Sequence, residues 1–236
     1  MSEAATTSPV LLERHAGWTE IVLNRPERRN AIDNALAHAL AATIDSVNAD
    51  DSTRAVLLRG ADGAFCSGLD LKALQVEPDG MEKFAQVWER VHLSLLQSEK
   101  AWIVALERHA VNGGAALALA GDLMVCGAGA FLQIGEIRLG MAAPRNAAWL
   151  ALRHSEAVAA RLCLLGDRVP ATDLLRLGVA TEVTDDTQVL DRARDLAATI
   201  AAFPAGGVTA IKRGMRAAST RMALPQWLGA CRDTHD

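Results

Sequence analysis

The sequence predicts an α/β fold in one large domain, and three observations predict it. Short β-branched and leucine-rich runs alternate with longer segments whose apolar residues recur at helical spacing. Glycine turns separate these into strand–strand–helix units. A chain of 236 residues with 50% hydrophobic content has ample material for a single buried core. No internal repeat is visible at the level of residues.

In chain order, Val10–Arg14 and Trp18–Leu23 flank His15-Ala16-Gly17 and read as a hairpin that Asn24-Arg25-Pro26 ends. Asp33 is placed to cap a helix running to about Val47, with Leu36, Leu40, Ile44 and Val47 on one face. Arg54–Arg59 is the next strand. A helix over 80–97 carries Phe84, Val87, Trp88, Val91 and Leu95 as an apolar stripe, in which Trp88 reads most simply as core. Strand Trp102–Leu106 follows. Beyond Pro144, helices are expected around 147–153 and 155–165, followed by Thr172 as a candidate N-cap. From Thr187 onward the pattern is helical, broken at Gly206-Gly207 and Pro225. The expected division is a core over 1–186 and a helical region over 187–236.

Composition excludes several classes of function. A net charge of −4 offers no basic surplus for nucleic acid. No segment approaches the roughly 18 uninterrupted apolar residues of a membrane span, and MSEAATTSPV has neither the basic nor the apolar region of a secretory leader. Cys66, Cys126, Cys163 and Cys231 lack CxxC spacing and companion histidines, so the expectation is a cytoplasmic protein with reduced thiols and no metal site. Gly127-Ala128-Gly129 starts like a dinucleotide loop, but the third glycine would fall on Leu132. Ser67 is not in a GxSxG elbow, and His109, near the most informative stretch, reads as a strand-end residue.

That stretch is Ile103–Pro144. Asn112-Gly113-Gly114 interrupts an apolar run and opens a helix of small residues, either as a tight packed turn or as a pair of main-chain amides free to meet an oxyanion. Glu136 lies 23 positions after Gly113 in a segment apolar enough to be buried; it is either an ion-pair partner of Arg138 at a strand end or a desolvated carboxyl suited to moving a proton. Upstream, the strand over 54–59 runs into Gly63-Ala64-Phe65-Cys66-Ser67-Gly68-Leu69-Asp70-Leu71-Lys72.

The AFCSGLDL string, the glycine pair opening a helix that ends in Gly121-Asp122, the GEIRLG segment, the early NRPERRNA and the late ATDLLRLGVA together resemble the crotonase, or enoyl-CoA hydratase/isomerase, superfamily over roughly residues 10 to 220. The resemblance implies a spiral of ββα units with a C-terminal helical region, an acyl-CoA thioester as substrate, no cofactor beyond the coenzyme A carried by that substrate, and a homotrimer or dimer of trimers. The resemblance also implies a helix over 174–177, a last strand over 179–183 and C-terminal helices that pack on neighbouring subunits, the last of which are expected to be shortened here. In the family, two main-chain amides hold the thioester oxygen; the matching positions are Leu69 and Gly113. Arg28, Ser67, Asp70, Leu71, Asn112, Ala116, Leu139 and Gly140 fall in segments that line the substrate.

Family hydratases use two glutamates. Counted without gaps back from Asp122, the first falls on Ala116 and the second, 20 residues later, on Glu136. Alanine moves no proton. A lone carboxylate still can, and the Δ3,Δ2-enoyl-CoA isomerases, which this chain resembles in Ser67–Leu71 and Leu139–Pro144, work in that way. Two further readings stay open: a hydratase recruiting another acid, with Glu107 and Asp70 as the visible candidates, and an acyl-CoA-binding protein without turnover. Glu107-Arg108 also replaces the usual Asn-Gly, and Asn112 stands where a glycine is common.

Overall fold

A computed structural model describes residues 8–76, 79–204 and 206–219. Its main sheet begins with the antiparallel hairpin β1 (Val10–His15) and β2 (Trp18–Leu23), turned at Gly17 with φ +80°. The chain then crosses through α1 (Asn34–Asn48) into β3 (Ala55–Gly60), which pairs parallel to β2. Asp33 caps α1 by accepting from Leu36 N at 2.8 Å, and Leu36, Leu40, Ile44 and Val47 are fully buried, as the spacing predicts. Each such leucine or isoleucine contributes about 1.5–3 kcal/mol of transfer free energy.

After α2 (Leu71–Val76), helix α3 (Gly80–Gln97) sets its Phe84–Leu95 stripe against α1. Then come β4 (Ala101–Leu106), β5 (His109–Val111), α4 (Gly113–Leu119), β6 (Leu123–Gly127) and β7 (Phe131–Gln133). A 3-10 turn, Glu136–Leu139, leads to α5 (Pro144–Arg153) and α6 (Glu156–Leu165). Strand β8 (Arg168–Pro170), α7 (Ala171–Arg176), β9 (Glu182–Thr184), α8 (Val189–Ala202) and α9 (Gly207–Ser219) complete the described chain.

The main sheet has the order β1-β2-β3-β4-β6-β9, parallel from β2 onward, and a second sheet has the order β5-β7-β8. The chain therefore spirals: each turn lays one strand in the main sheet, a short strand in the second, then a helix. The bridges Ile32↔Leu69 and Cys66↔Ala110 continue the second layer towards α1. The large core lies between the sheets and α1, α3 and α4, while α8 covers the opposite face of the main sheet with Val189, Ala193, Ala197 and Ala201.

Three expectations change. Thr172 is not the cap of α7; Pro170 holds that position without a side-chain bond, because the helix starts two residues earlier. The last strand covers only Glu182–Thr184, since Val179 and Ala180 turn back onto Leu174 O through their N–H groups. The segment around Glu136 is not a buried strand: Ile137 is 45% and Leu139 64% exposed, and Arg138 is exposed too. The break expected at Pro225, the stretch Trp227–Asp236 and Cys231 lie outside the described residues.

Two buried carboxylates tie the elements together. Burial works against the charge of Glu20, but hydrogen bonds from Arg194 and Arg59 hold its carboxyl below the usual range. Asp122, at the end of α4, accepts from Lys212 of α9 at 2.6 Å, Arg153 of α5 at 2.8 Å and Trp102 N at 2.8 Å. Asp122 and Lys212 side chains are only 11% and 10% exposed. Asp122→Ala strands that amine and should cost about 3 kcal/mol in urea denaturation. Asp167→Ala, which removes the half-exposed pair with Arg161, should cost under about 1 kcal/mol.

Candidate active site

Two backbone segments approach each other unusually closely, and the site begins there. Cys66 N donates to His109 O at 3.1 Å and Val111 N donates to Cys66 O at 3.0 Å. A Cβ on Gly114 would lie 2.6 Å from Cys66 O, and one on Gly113 would lie 2.8 Å from the Leu69 side chain. Gly68 has φ +100°, with Val111 O 2.9 Å from where its Cβ would stand. Main chain excludes a Cβ at Gly68 and Gly114, and at Gly113 a Cβ would displace the Leu69 side chain. The turn at Gly68 brings Leu69 beside Ile32, and α4 starts at Gly113 with its first N–H groups unused by the helix. Among the described residues, no protein oxygen accepts from the N–H of Leu69 or of Gly113.

Both residues line one pocket of about 280 Å³, together with Ala116 and Glu136. Its walls are chiefly apolar, from Met81, Phe84 and Trp88 of α3 to Leu139, Met141 and the start of α5. Glu136 is the acid of this wall. Its Oε1 accepts from Asn146 Nδ2 at 3.2 Å, and its Oε2 is buried with no protein donor. Burial raises the carboxyl above its ordinary 4.5, and the Asn146 hydrogen bond opposes this in part. The expected pairing with Arg138 is absent among the described residues; Arg138 lies near Asp167 instead.

Asn112, which opens α4, has φ +49° and ψ −112°, a conformation that disfavours side chains. Its Oδ1 accepts from Gly135 N at 2.8 Å, its N–H donates to Gln133 O at 2.8 Å, and its carbonyl accepts from Asn146 Nδ2 at 3.2 Å. Ala116 sits in the first turns of α4, 1% exposed and facing the pocket.

Ser67, Leu69, Leu71, Asn112, Gly113, Ala116, Glu136 and Leu139 are therefore brought together. Arg28, Asp70 and Gly140 are not. Arg28 is exposed, and its carbonyl accepts from the Ser67 hydroxyl at 3.2 Å. Asp70 starts α2, accepting from Ala73 N at 3.3 Å and pairing with Arg25, so it is committed to a turn. Gly140 ends the 3-10 turn in the left-handed region, with its face to solvent. Glu107 lies at the far end of β4 beside Arg59, Arg108 and Arg194, away from the pocket. Sequence reasoning missed Asn146; it read Trp88 most simply as core, with the family resemblance allowing that its helix borders the acyl pocket, and Trp88 is both 3% exposed and part of the pocket wall, in an edge contact with His92.

The thiols of Cys66 and Cys126 are pushed up to about 12 by burial, and neither lines the pocket, which argues against thiolate chemistry there. Among the described residues, Glu13, His15 and Glu20 bring ligand-type atoms within 4.8 Å, but Glu20 is already held by two arginines.

One pocket thus gathers Leu69 and Gly113, whose main-chain N–H groups have no protein acceptor among the described residues, with one desolvated carboxyl in a chiefly apolar wall. The enoyl-CoA hydratase/isomerase family profile matches residues 13–235, and the chain belongs to that family. It is 32% identical to the 1,2-epoxyphenylacetyl-CoA isomerase of Escherichia coli K12, over 89% of this chain and 83% of that one. It is 35% identical to the carnitinyl-CoA dehydratase of Proteus mirabilis, over 85% and 77%. The crystal structure of an enoyl-CoA hydratase/isomerase from Xanthobacter autotrophicus Py2 superposes with a TM-score of 0.84 at 31% identity, covering 96% of this chain and 85% of that one. The protein is thus an acyl-CoA enzyme of the family, in the spiral α/β fold.

The raised carboxyl has a stability consequence. In the unfolded chain Glu136 titrates near 4.5, and in the folded chain higher. Between those values the folded state keeps a proton that the unfolded state has released, so stability falls as pH rises through the window. Glu136→Gln removes the penalty and should melt at or above the parent temperature near pH 7. The difference should vanish below pH 4.5. A variant that melts lower at neutral pH than the parent would count against a desolvated carboxylate.

Proposed function

We propose that the protein moves a double bond in an enoyl-CoA thioester from the Δ3 to the Δ2 position, with Glu136 as the sole acid and base. The observation that carries this is the pairing of Glu136 with Ala116 in one pocket: one carboxyl, and a methyl group where a second carboxyl would be needed to hold water. The thioester oxygen is placed between the Leu69 and Gly113 N–H groups. The Glu136 carboxylate takes a proton from C2 of the 3-enoyl chain, and the electron pair moves into a dienolate whose oxygen those two donors stabilise. The resulting carboxylic acid returns the proton at C4, so the double bond passes from C3–C4 to C2–C3 with no water consumed. The raised proton affinity of Glu136 suits both steps, since it strengthens the base without making the acid too weak to donate.

Coenzyme A enters only as part of the substrate, and the slot bounded by Phe84, Trp88 and Met81 takes the acyl chain. The hydratase reading is disfavoured by the positions of its candidate acids, Glu107 and Asp70, both outside the pocket wall. A site with no turnover fits poorly with a carboxyl left desolvated beside two unused amides.

Thioester absorbance separates these readings. The protein should convert a 3-enoyl-CoA to its 2-enoyl isomer and leave a 2-enoyl-CoA unhydrated. Glu136→Gln should lower kcat by at least about 10³-fold while acyl-CoA affinity changes little. Hydration of the 2-enoyl substrate, or unchanged turnover in Glu136→Gln, would reject the proposal.

A further inference from the structure

We propose that Asn112 and Asn146 are positioning residues: together they form a brace that fixes where the Glu136 carboxyl stands relative to the Gly113 N–H. The inference rests on Glu136 being the proton carrier.

The two groups that must act on one thioester sit on separate elements. Gly113 opens α4, whereas Glu136 lies in an exposed 3-10 turn whose neighbours Ile137, Arg138 and Leu139 face solvent. The turn rests on Gly166 through Ile137 and Arg138, and among the described residues the side-chain donor to the Glu136 carboxyl is Asn146. Asn112 supplies the link. It directly precedes Gly113, and its side-chain oxygen accepts from the N–H of Gly135, which directly precedes Glu136. Its own N–H donates to Gln133 O on the same approach. Asn146, in the first turn of α5, closes the figure: the two N–H bonds of one amide reach the Asn112 carbonyl and Glu136 Oε1, each at 3.2 Å. With both N–H bonds directed at acceptors, the amide orientation and the carboxyl rotamer are set together.

The left-handed conformation of Asn112 strengthens the case. A non-glycine residue there costs free energy and persists where surrounding bonds over-determine it. Glycine would meet the backbone requirement without strain, but it has no oxygen for Gly135. The side chain is therefore retained against its conformational cost by the bonds it makes to the Glu136 segment.

The charged groups packed around Glu136 are Arg145 of α5 in the same wall, Arg138 of its own turn, and the Arg161–Asp167 pair at the end of α6. α4 contributes no titratable side chain. Of the neutral contacts, the Asn146 hydrogen bond lowers the carboxyl's proton affinity.

The test follows exchange of the C2 protons of butyryl-CoA in D2O by NMR, across pH, for the parent and for Asn146→Ala, Asn112→Gly and Glu136→Gln. This readout needs enolate formation and does not depend on which product the enzyme makes. Asn146→Ala should slow exchange about tenfold and move the acid limb of the profile up by roughly one pH unit, with butyryl-CoA affinity within about twofold. Asn112→Gly should slow exchange several-fold without loss of melting temperature, a combination that a purely structural role would not produce. Rates and limbs matching the parent in both variants overturn the brace, as does a parent with no exchange or exchange surviving in Glu136→Gln. If exchange behaves as expected but 3-enoyl-CoA is not isomerised, the isomerase reading fails and the brace stands.

Discussion

The close approach of two stretches of main chain, Cys66–Leu69 and Val111–Gly114, is the constraint on which the rest of this structure depends. Three glycines make it: Gly68 takes a left-handed turn beneath Val111 O, Gly113 leaves room for the Leu69 side chain, and Gly114 lets the helix start against Cys66. The two stretches are joined as neighbouring strands in the second layer of the spiral. This packing places Leu69 and Gly113 in the wall of one pocket, and among the described residues neither N–H has a protein acceptor. Donors fixed in this way by the fold need no reorganisation when charge develops on an oxygen between them.

Ala116 presents a methyl group to the pocket wall, so Glu136 faces a slot shaped by Phe84, Trp88 and leucine and methionine side chains. Low polarity has two effects on Glu136: it raises the carboxyl's proton affinity, and it strengthens whatever dipoles do reach it. The names of related proteins span isomerase and dehydratase chemistry, so the family alone does not select the reaction; the composition of this pocket does the selecting in the proposal made here.

Much of the fold was legible because its determinants are local. The Asp33 cap, the apolar stripe of α3 and the glycine turn at Gly17 each act within a few residues, and those elements form where the pattern puts them. Thr172 misled because Pro170, with its fixed φ and no N–H, starts α7 ahead of any side-chain cap. The glycines and Glu136 could be picked out from residue type and order. Asn146 could not: one asparagine after Pro144-Arg145 looks like the first turn of any helix, and its two bonds reach partners 10 and 34 residues earlier. Asp70 is ambiguous in a different way, since a carboxylate in a glycine-rich loop satisfies a helix start and an arginine as readily as a ligand, and here it does the first two. Trp88 serves as core and as wall at once, a duality that periodicity does not resolve.

The central claim is geometric, and a crystal structure with a bound saturated acyl-CoA tests it most directly. The account predicts the thioester oxygen about 2.7–3.1 Å from both the Leu69 and the Gly113 nitrogens, with a Glu136 oxygen against the C2–C4 face of the acyl chain. A thioester oxygen that accepts from neither amide, or an acyl chain lying away from Glu136, would contradict it.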